Sequence, residues 1–402
     1  MKAIPPSHPG RRATTMASST TVAVVLPVFL VGGLGVQLEQ DLGMTPEVLG
    51  ATAASYWGIS ALLSTTGGHF AQRLGFRKGM LLSATLGMTS LLGIAILTPH
   101  WSWLFLWMGI AGASTALAHP VSNSLIVHQV APRNRAFAFG LKQAAIPAAT
   151  FVAGISVPVL ALTLGWRWAF GVASVFAILF LPILFRVVPR VPAATVWRAG
   201  PGSTKTRLPR PLKLFLLTTA ITAALGSAQA TALGAFTVIS ASRAGFDIAT
   251  AGLLLGLGSA AGCLVRPLAG FAADRGIGGS MATVAAMLAV GFAGLLAMAS
   301  GNKAVFAVGC ALAFGFGWGW NGLVHFVVSR RSRPFTAHAT GIAQCGTYIG
   351  GTVGPFAFGL VFSNYGSITA WVAAAAVAGI GAIAALLAYR FERLLPDSAE
   401  SS

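Results

Sequence analysis

Apolar runs of roughly twenty residues or more recur twelve times along this chain, and their length leaves few structural options. A single segment crossing lipid must satisfy its own backbone hydrogen bonds, which at that length means a helix. The runs lie approximately at 20–38, 48–70, 78–98, 101–129, 136–162, 167–187, 213–240, 248–271, 280–300, 303–328, 339–363 and 368–391. Of 402 residues, 55% are hydrophobic and 8% charged, with a mean hydropathy of +0.79, far from the balance of a soluble domain. The expected fold class is an all-α membrane protein with twelve transmembrane helices and the lipid bilayer as solvent.

Six runs fall in each half, and the halves repeat at a spacing of about 201 residues. Gly43, Gly50, Gly68, Ala71 and Arg73 recur as Gly245, Gly252, Gly270, Ala273 and Arg275, and Gly140, Gln143 and Gly165 recur as Gly341, Gln344 and Gly366. A doubled membrane pattern is the signature of an alternating-access carrier built from two pseudo-symmetric six-helix bundles. The expected organisation is a tail over 1–19, a bundle over 20–187, a proline-rich basic linker over 188–212, a second bundle over 213–391 and a tail over 392–402. No loop is long enough to hold an inserted catalytic domain.

With the N-terminus inside, all but five of the 26 Lys and Arg fall in cytoplasmic segments. The five are Arg167, Arg243 and Lys303 outside, and Lys142 and Arg266 within spans. Glu39, Asp41, Glu47 and Asp247 lie on the outer side, so the net charge of +18 reads as a topology signal, with both termini cytoplasmic. Nucleic-acid binding would need a basic soluble face with aromatics for stacking, and the pattern offers none. Lys2, Arg11 and Arg12 ahead of an apolar stretch resemble a signal peptide, but no small-residue cleavage site follows, so a first transmembrane helix is expected. Cys263, Cys310 and Cys345 fall inside helices without metal-ligand spacing and read as packing residues. No cofactor or metal is implied.

Between spans two and three stands Gly68-His-Phe-Ala-Gln72-Arg73-Leu-Gly75-Phe-Arg77-Lys78, and between spans eight and nine Gly270-Phe-Ala-Ala-Asp274-Arg275. Together with Gly165-Trp166-Arg167-Trp168 between spans five and six, these resemble the signature loops of the major facilitator superfamily, whose pattern is Gly, three residues, an acid, Arg, one residue, Gly, then basic residues. The resemblance implies the twelve-helix fold and gives Gly68, Gln72, Arg73, Gly75, Gly270, Asp274 and Arg275 a role in conformational switching. It also implies that the acid helps hold the outward-open state, which the neutral Gln72 in the first copy would do more weakly or hold by its amide hydrogen bonds alone. Gly256-Leu-Gly258-Ser-Ala-Ala261 matches a dinucleotide fingerprint but follows no strand, so it is read as helix packing.

Lys142 and Arg266 are the foremost candidates for chemistry, because a cation inside a span is costly unless it faces a cavity or a partner. No carboxylate is expected at depth, so the missing counter-charge would come from an anionic substrate. The alternatives are snorkelling for Lys142 and a bond to backbone carbonyls for Arg266. Arg266-Pro267 also resembles the arginine that several carboxylate carriers of the superfamily place four residues before the loop glycine. Supporting polar residues fall at helical spacing: Tyr56, Ser60 and Ser64; His119 and Asn123; Asn321 and His325; Gln344, Thr347 and Tyr348, with Gln143 beside Lys142. These stripes are expected to face a central cavity, each residue having interhelical hydrogen bonding as its alternative. Trp318 and Trp320 offer stacking for a planar substrate or simple packing, and His119 and His325 can exchange protons.

The expected function is secondary transport of a small organic anion, a carboxylate in the first instance, by a monomer in a bacterial inner membrane. An exporter of drugs or metabolites is the alternative, and a non-transporting sensor a third. No hydrolase, metalloprotease or phosphate-loop motif is present, so no enzyme activity is expected.

Overall fold

The computed structural model describes residues 9–131, 134–190, 208–332 and 335–395, and these are helical, without a strand. Span one is Pro9–Gly33, continued by Gly35–Leu42. Span two is Pro46–Leu62 followed, past a turn at Leu63, by residues 64–74 of the helix Ser64–Ile96. That helix breaks at Gly75 (φ 69°, ψ −177°), and residues 76–96 form span three. Span four is Trp103–Gln129. Span five joins Arg135–Ser156, a π-turn at Val157–Ala161 and Leu162–Leu164, and span six is Trp166–Val187.

The second half repeats the scheme. Spans seven, eight and nine are Arg210–Arg243, Ile248–Asp274 and Met281–Met298. Span ten is composite, with Lys303–Leu312, a π-helical Ala313–Gly317 and Asn321–Arg331. The 57-residue helix Thr336–Glu392 breaks at Gly366 (φ 82°, ψ 172°) into spans eleven and twelve. Ten helical segments are individually long and apolar enough to cross a membrane, and the count of twelve arises because span two is interrupted at Leu63 while one helix holds two spans. The repeat has a backbone cause. Gly43 and Gly245 (φ 66° and 87°), and Gly165 and Gly366 (φ 96° and 82°), turn the chain with dihedrals that a side chain would strain.

Span one departs from expectation, since its helix starts at Pro9, inside the segment expected as a tail. Ala13 and Ala17 are buried, Ala17 in a cluster with Ile126, Val130 and Ala138, so the extension is held by packing on the end of span four. Most of the expected linker and the last tail residues lie outside the described residues.

The connections define two ends. At one, Glu39, Asp41, Glu47 and Asp247 gather. Arg243 Nη2 bonds Glu39 Oε1 at 2.6 Å, Trp166 Nε1 donates to Asp41 Oδ2 at 2.9 Å, and Lys303 Nζ donates to Gly245 O. Asp247 caps span eight by accepting from the Thr250 amide at 2.9 Å, and hydrogen bonds from Thr250 hold its carboxyl below the usual range. At the opposite, basic end, Arg77 Nε donates to Val188 O at 2.7 Å. There the buried Glu392 receives the Met281 amide at 2.8 Å and lies 3.4 Å from Arg331 Nε.

The hydrophobic core is shared at the acidic end and divided at the basic end. One cluster unites Val24 to Leu38, Leu49, Ala149 and Val157 of the first half with Leu233 to Ile239, Leu255, Phe306 and Phe358 of the second. Towards the basic end it forks. Phe76, Met80, Leu117, Leu125 and Leu184 form a core for the first half, while Leu212, Phe215, Met281, Leu323 and Val327 form another for the second. The bundle is therefore sealed at the acidic end and parted at the basic one.

Candidate functional site

The fork of the core is where the intramembrane polar residues meet. In span four, His119 follows Ala118, a member of the shared core, and precedes Val121, a member of the first half's separate core. Lys142 of span five is 1% exposed. Its Nζ donates to Asn123 Oδ1 at 2.7 Å and lies 3.2 Å from His119 Nδ1. The one-turn spacing of His119 and Asn123 puts both on the face that meets Lys142. Asn123 is exposed and His119 half-buried, so a solute reaching Lys142 meets these two side chains first. His325 of span ten is half-buried and close enough to interact electrostatically with both His119 and Lys142. Both hydrogen-bond partners of Lys142, an imidazole and an amide, are neutral, and none of the three ion pairs among the described residues involves it.

Arg266 of span eight is 3% exposed and differently placed. Nη1 donates to Gln143 O at 2.5 Å and Nη2 to Trp318 O at 2.9 Å, while the guanidinium lies 5.5 Å from the Trp318 ring centre. Only Nε is left without a partner. The carbonyl bonds considered for Arg266 are thus formed: Gln143 O is free because Pro147, four residues on in span five, has no N–H to give it, and Trp318 O because span ten is broken beside it. The π-turn and the non-helical residues 318–320 free carbonyls in mid-span, and the neighbouring helices supply donors. Gln229 of span seven takes the other one, donating from Nε2 to Gly317 O at 2.5 Å. Gln229 is absent from the candidates read off the sequence. The signal was a lone amide in the apolar run of span seven, opposite the glycine-spaced stretch Gly315-Phe-Gly317-Trp-Gly319.

The remaining candidates divide into two groups. Asn321 is 7% exposed with Oδ1 unpartnered, Gln143 keeps an unpartnered Oε1, and Gln344 is half-buried. Tyr56 corrects the expectation of a cavity-facing stripe. Its hydroxyl is 2.6 Å from Thr115 Oγ1 and 3.2 Å from Val24 O, and Ser60 Oγ bonds Gly112 O at 3.1 Å. Tyr56 and Ser60 thus spend their hydroxyls on spans one and four, and Ser64 Oγ donates to Ala61 O within span two. Tyr348 is buried in the shared core at 5% exposure.

The residues to which the superfamily resemblance gives a switching role lie at the parted end. Gln72, Arg73, Asp274 and Arg275 are exposed, Arg275 lies over the Phe271 ring at 3.8 Å, and Gly68 and Gly270 have open space where a side chain would stand.

Two bundles of six helices, sealed at one end and enclosing buried cations at the fork, form the architecture found in membrane carriers of the alternating-access class. The profile of the Major Facilitator Superfamily matches residues 13–338, and the chain belongs to that superfamily. The crystal structure of a D-xylose–proton symporter is similar in fold, with a TM-score of 0.74 at 18% identity, covering 96% of this chain and 98% of the symporter. A mouse relative, the voltage-gated purine nucleotide uniporter SLC17A9, is 26% identical over 155 residues, which is 38% of this chain and 35% of the relative. The chain thus matches about a third of that relative's length. The profile gives the family, and the likeness to the symporter adds the fold.

Proposed function

We propose that the carrier moves a small organic anion, with a carboxylate as the first candidate, and binds it at the fork through Lys142, His119 and Asn123. The observation that carries this reading is Lys142 itself, a buried cation with two neutral hydrogen-bond partners. A cation in such a place is costly without an opposite charge, and an incoming anion supplies one. On binding, the anion displaces Asn123 and His119 from Nζ, forms charge-assisted bonds and leaves the loaded site nearer to neutral. The neutralised site then costs less to close over, which lowers the barrier to rocking. Arg266 adds its field from behind Gln143, while Asn321, Gln143 and Gln344 offer further polar contacts.

The name of the mouse relative supports the reading, since purine nucleotides are anions. By the excess of basic residues the parted end faces the cytoplasm, with both termini there and a bacterial inner membrane as the setting. The carrier works as a monomer. A second reading, export of planar apolar compounds, is favoured by the aromatic cluster of Phe29, Phe314 and Trp318, with ring centres 5.5 and 5.7 Å apart.

Thermal unfolding of the purified protein against mono- and dicarboxylates, nucleotides, inorganic phosphate, sugars and cationic dyes tests both. A ligand at about a hundred times its Kd adds roughly 2.7 kcal/mol to the folded state. A midpoint rise with one anion class that is absent in Lys142→Met supports the proposal. Stabilisation by neutral or cationic compounds that survives Lys142→Met overturns it in favour of export.

A further inference from the structure

Besides the packing of span one on span seven, the two halves meet along two seams, spans two with eleven and spans five with eight, which the internal repeat makes equivalent. They are not in the same state. Along the five–eight seam, contact runs from the acidic end to the parted end. Val157 and Gly154 pack on Gly252 and Gly256, Pro147 on Gly262, and Cys263 Sγ lies 3.7 Å from Ala144 O. Even at Gly140, an added methyl would stand 3.8 Å from Pro267 Cα. Along the two–eleven seam, Gly50 meets Pro355, Gly359 meets Pro46 and Trp57 meets Gly351, and a methyl at Gly58 would lie 3.4 Å from Thr352. There the contact stops. Leu62, one turn further on the same face, is 74% exposed, Cys345 is exposed, and Gly341 has nothing within 4 Å.

Gly140 and Gly341 are repeat equivalents, so the same position is packed in one seam and open in the other. The residue that differs is the pin. Arg266 ties Gln143 O across the halves and Trp318 O within its own half, whereas its equivalent, Ser64, donates to Ala61 O of its own span. A guanidinium with two backbone carbonyl bonds in a buried seam is expensive to break, because each freed carbonyl is left unsatisfied.

We infer that Arg266 is a positioning residue, the pin of a hinge between spans five and eight, and that the basic-end mouth opens and closes at the seam of spans two and eleven. Rocking is then asymmetric. The five–eight seam turns in place, and a solute passes between spans two and eleven, past Leu62 and Cys345. The inference holds for any solute, so it stands or falls apart from the anion reading.

Spin-label distances on the full-length protein in lipid nanodiscs test it, with the three native cysteines replaced. Leu62→Cys with Gly341→Cys reports the two–eleven seam, and the exposed pair Leu141→Cys with Leu268→Cys reports the five–eight seam. Glu39→Gln removes the ion pair at the acidic end and shifts the resting population. The expected result is a two–eleven pair that gains a shorter-distance population in Glu39→Gln, with a five–eight pair that stays single and unmoved. Arg266→Lys, unable to span both carbonyls, broadens the five–eight distribution. The inference is overturned if the five–eight pair moves with the other, if the two–eleven pair is as narrow as it in both proteins, or if Arg266→Lys leaves the five–eight pair unchanged. Should Arg266→Lys not fold, keeping Cys263 alone of the native cysteines and bridging it to Ala144→Cys gives an independent arm. Locking that seam leaves the two–eleven shift intact, and loss of the shift overturns the hinge.

Discussion

Lys142 and Arg266 are two intramembrane cations with different partners, and the difference sets their use. Lys142 is held by side chains that an anion can displace, whereas Arg266 is held by two backbone carbonyls. Replacing Lys142 with Met removes a buried charge that has only neutral partners, so the unfolding midpoint without ligand is expected to stay the same or rise, while any anion-induced shift disappears. Calorimetric or fluorescence melts in detergent read both quantities. Gln229→Leu acts in the opposite sense. It leaves Gly317 O unsatisfied in mid-span, which costs about 1–3 kcal/mol and lowers the midpoint whatever ligand is present.

Helix elements approach most closely where glycine meets a backbone carbonyl. In span eleven, Gly346, Gly350 and Gly354 lie against the carbonyls of Ala220, Ala224 and Ala228 of span seven, which is backbone and cannot swing aside. Gly350→Ala is therefore expected to part the two helices at a cost of about 1–3 kcal/mol. Gly109→Ala in span four, where nothing stands within 4 Å, is its control and should stabilise by up to about 1 kcal/mol through helix propensity. Melts of the two variants side by side separate close packing from propensity. At the start of span eight the Asp247 cap works only as a carboxylate. Its folded pKa lies below the unfolded one, so the contribution is full above the unfolded value and is lost as pH falls through the folded value. The midpoint gap between the wild type and Asp247→Ala should close accordingly in acid.

Over the whole molecule the question is how firmly the acidic end is shut. Arg243 and Glu39 form the ion pair between the halves there, with side chains 54% and 32% exposed, so the pair contributes no more than about 1 kcal/mol to stability. Because it bridges the halves, all of that acts on the balance between conformations, where 1 kcal/mol is roughly a fivefold change in population. Glu39→Gln should hardly move the unfolding midpoint yet should raise labelling of cysteines placed at the acidic end several-fold. The charge swap Glu39→Arg with Arg243→Glu should restore the parent's labelling.

Periodicity, charge placement and the doubled glycines were enough to read twelve helices, their order and the two halves, because each span answers to the bilayer and each turn to a local dihedral. Gly75 and Gly366 break helices where the sequence places loops, and Lys142 was visible as a lone cation in an apolar run. What the chain could not disclose is which partner a polar side chain finds across a seam. Tyr56 and Arg266 have the composition of ligands, but Thr115 and Val24 take the first and two carbonyls take the second. The helical start at Pro9, the break in span ten and the open seam at Gly341 are likewise products of contact. Lipid exposure acts on each segment alone and is written in its composition, whereas these features depend on atoms brought together from distant parts of the chain, and only the packed bundle decides them.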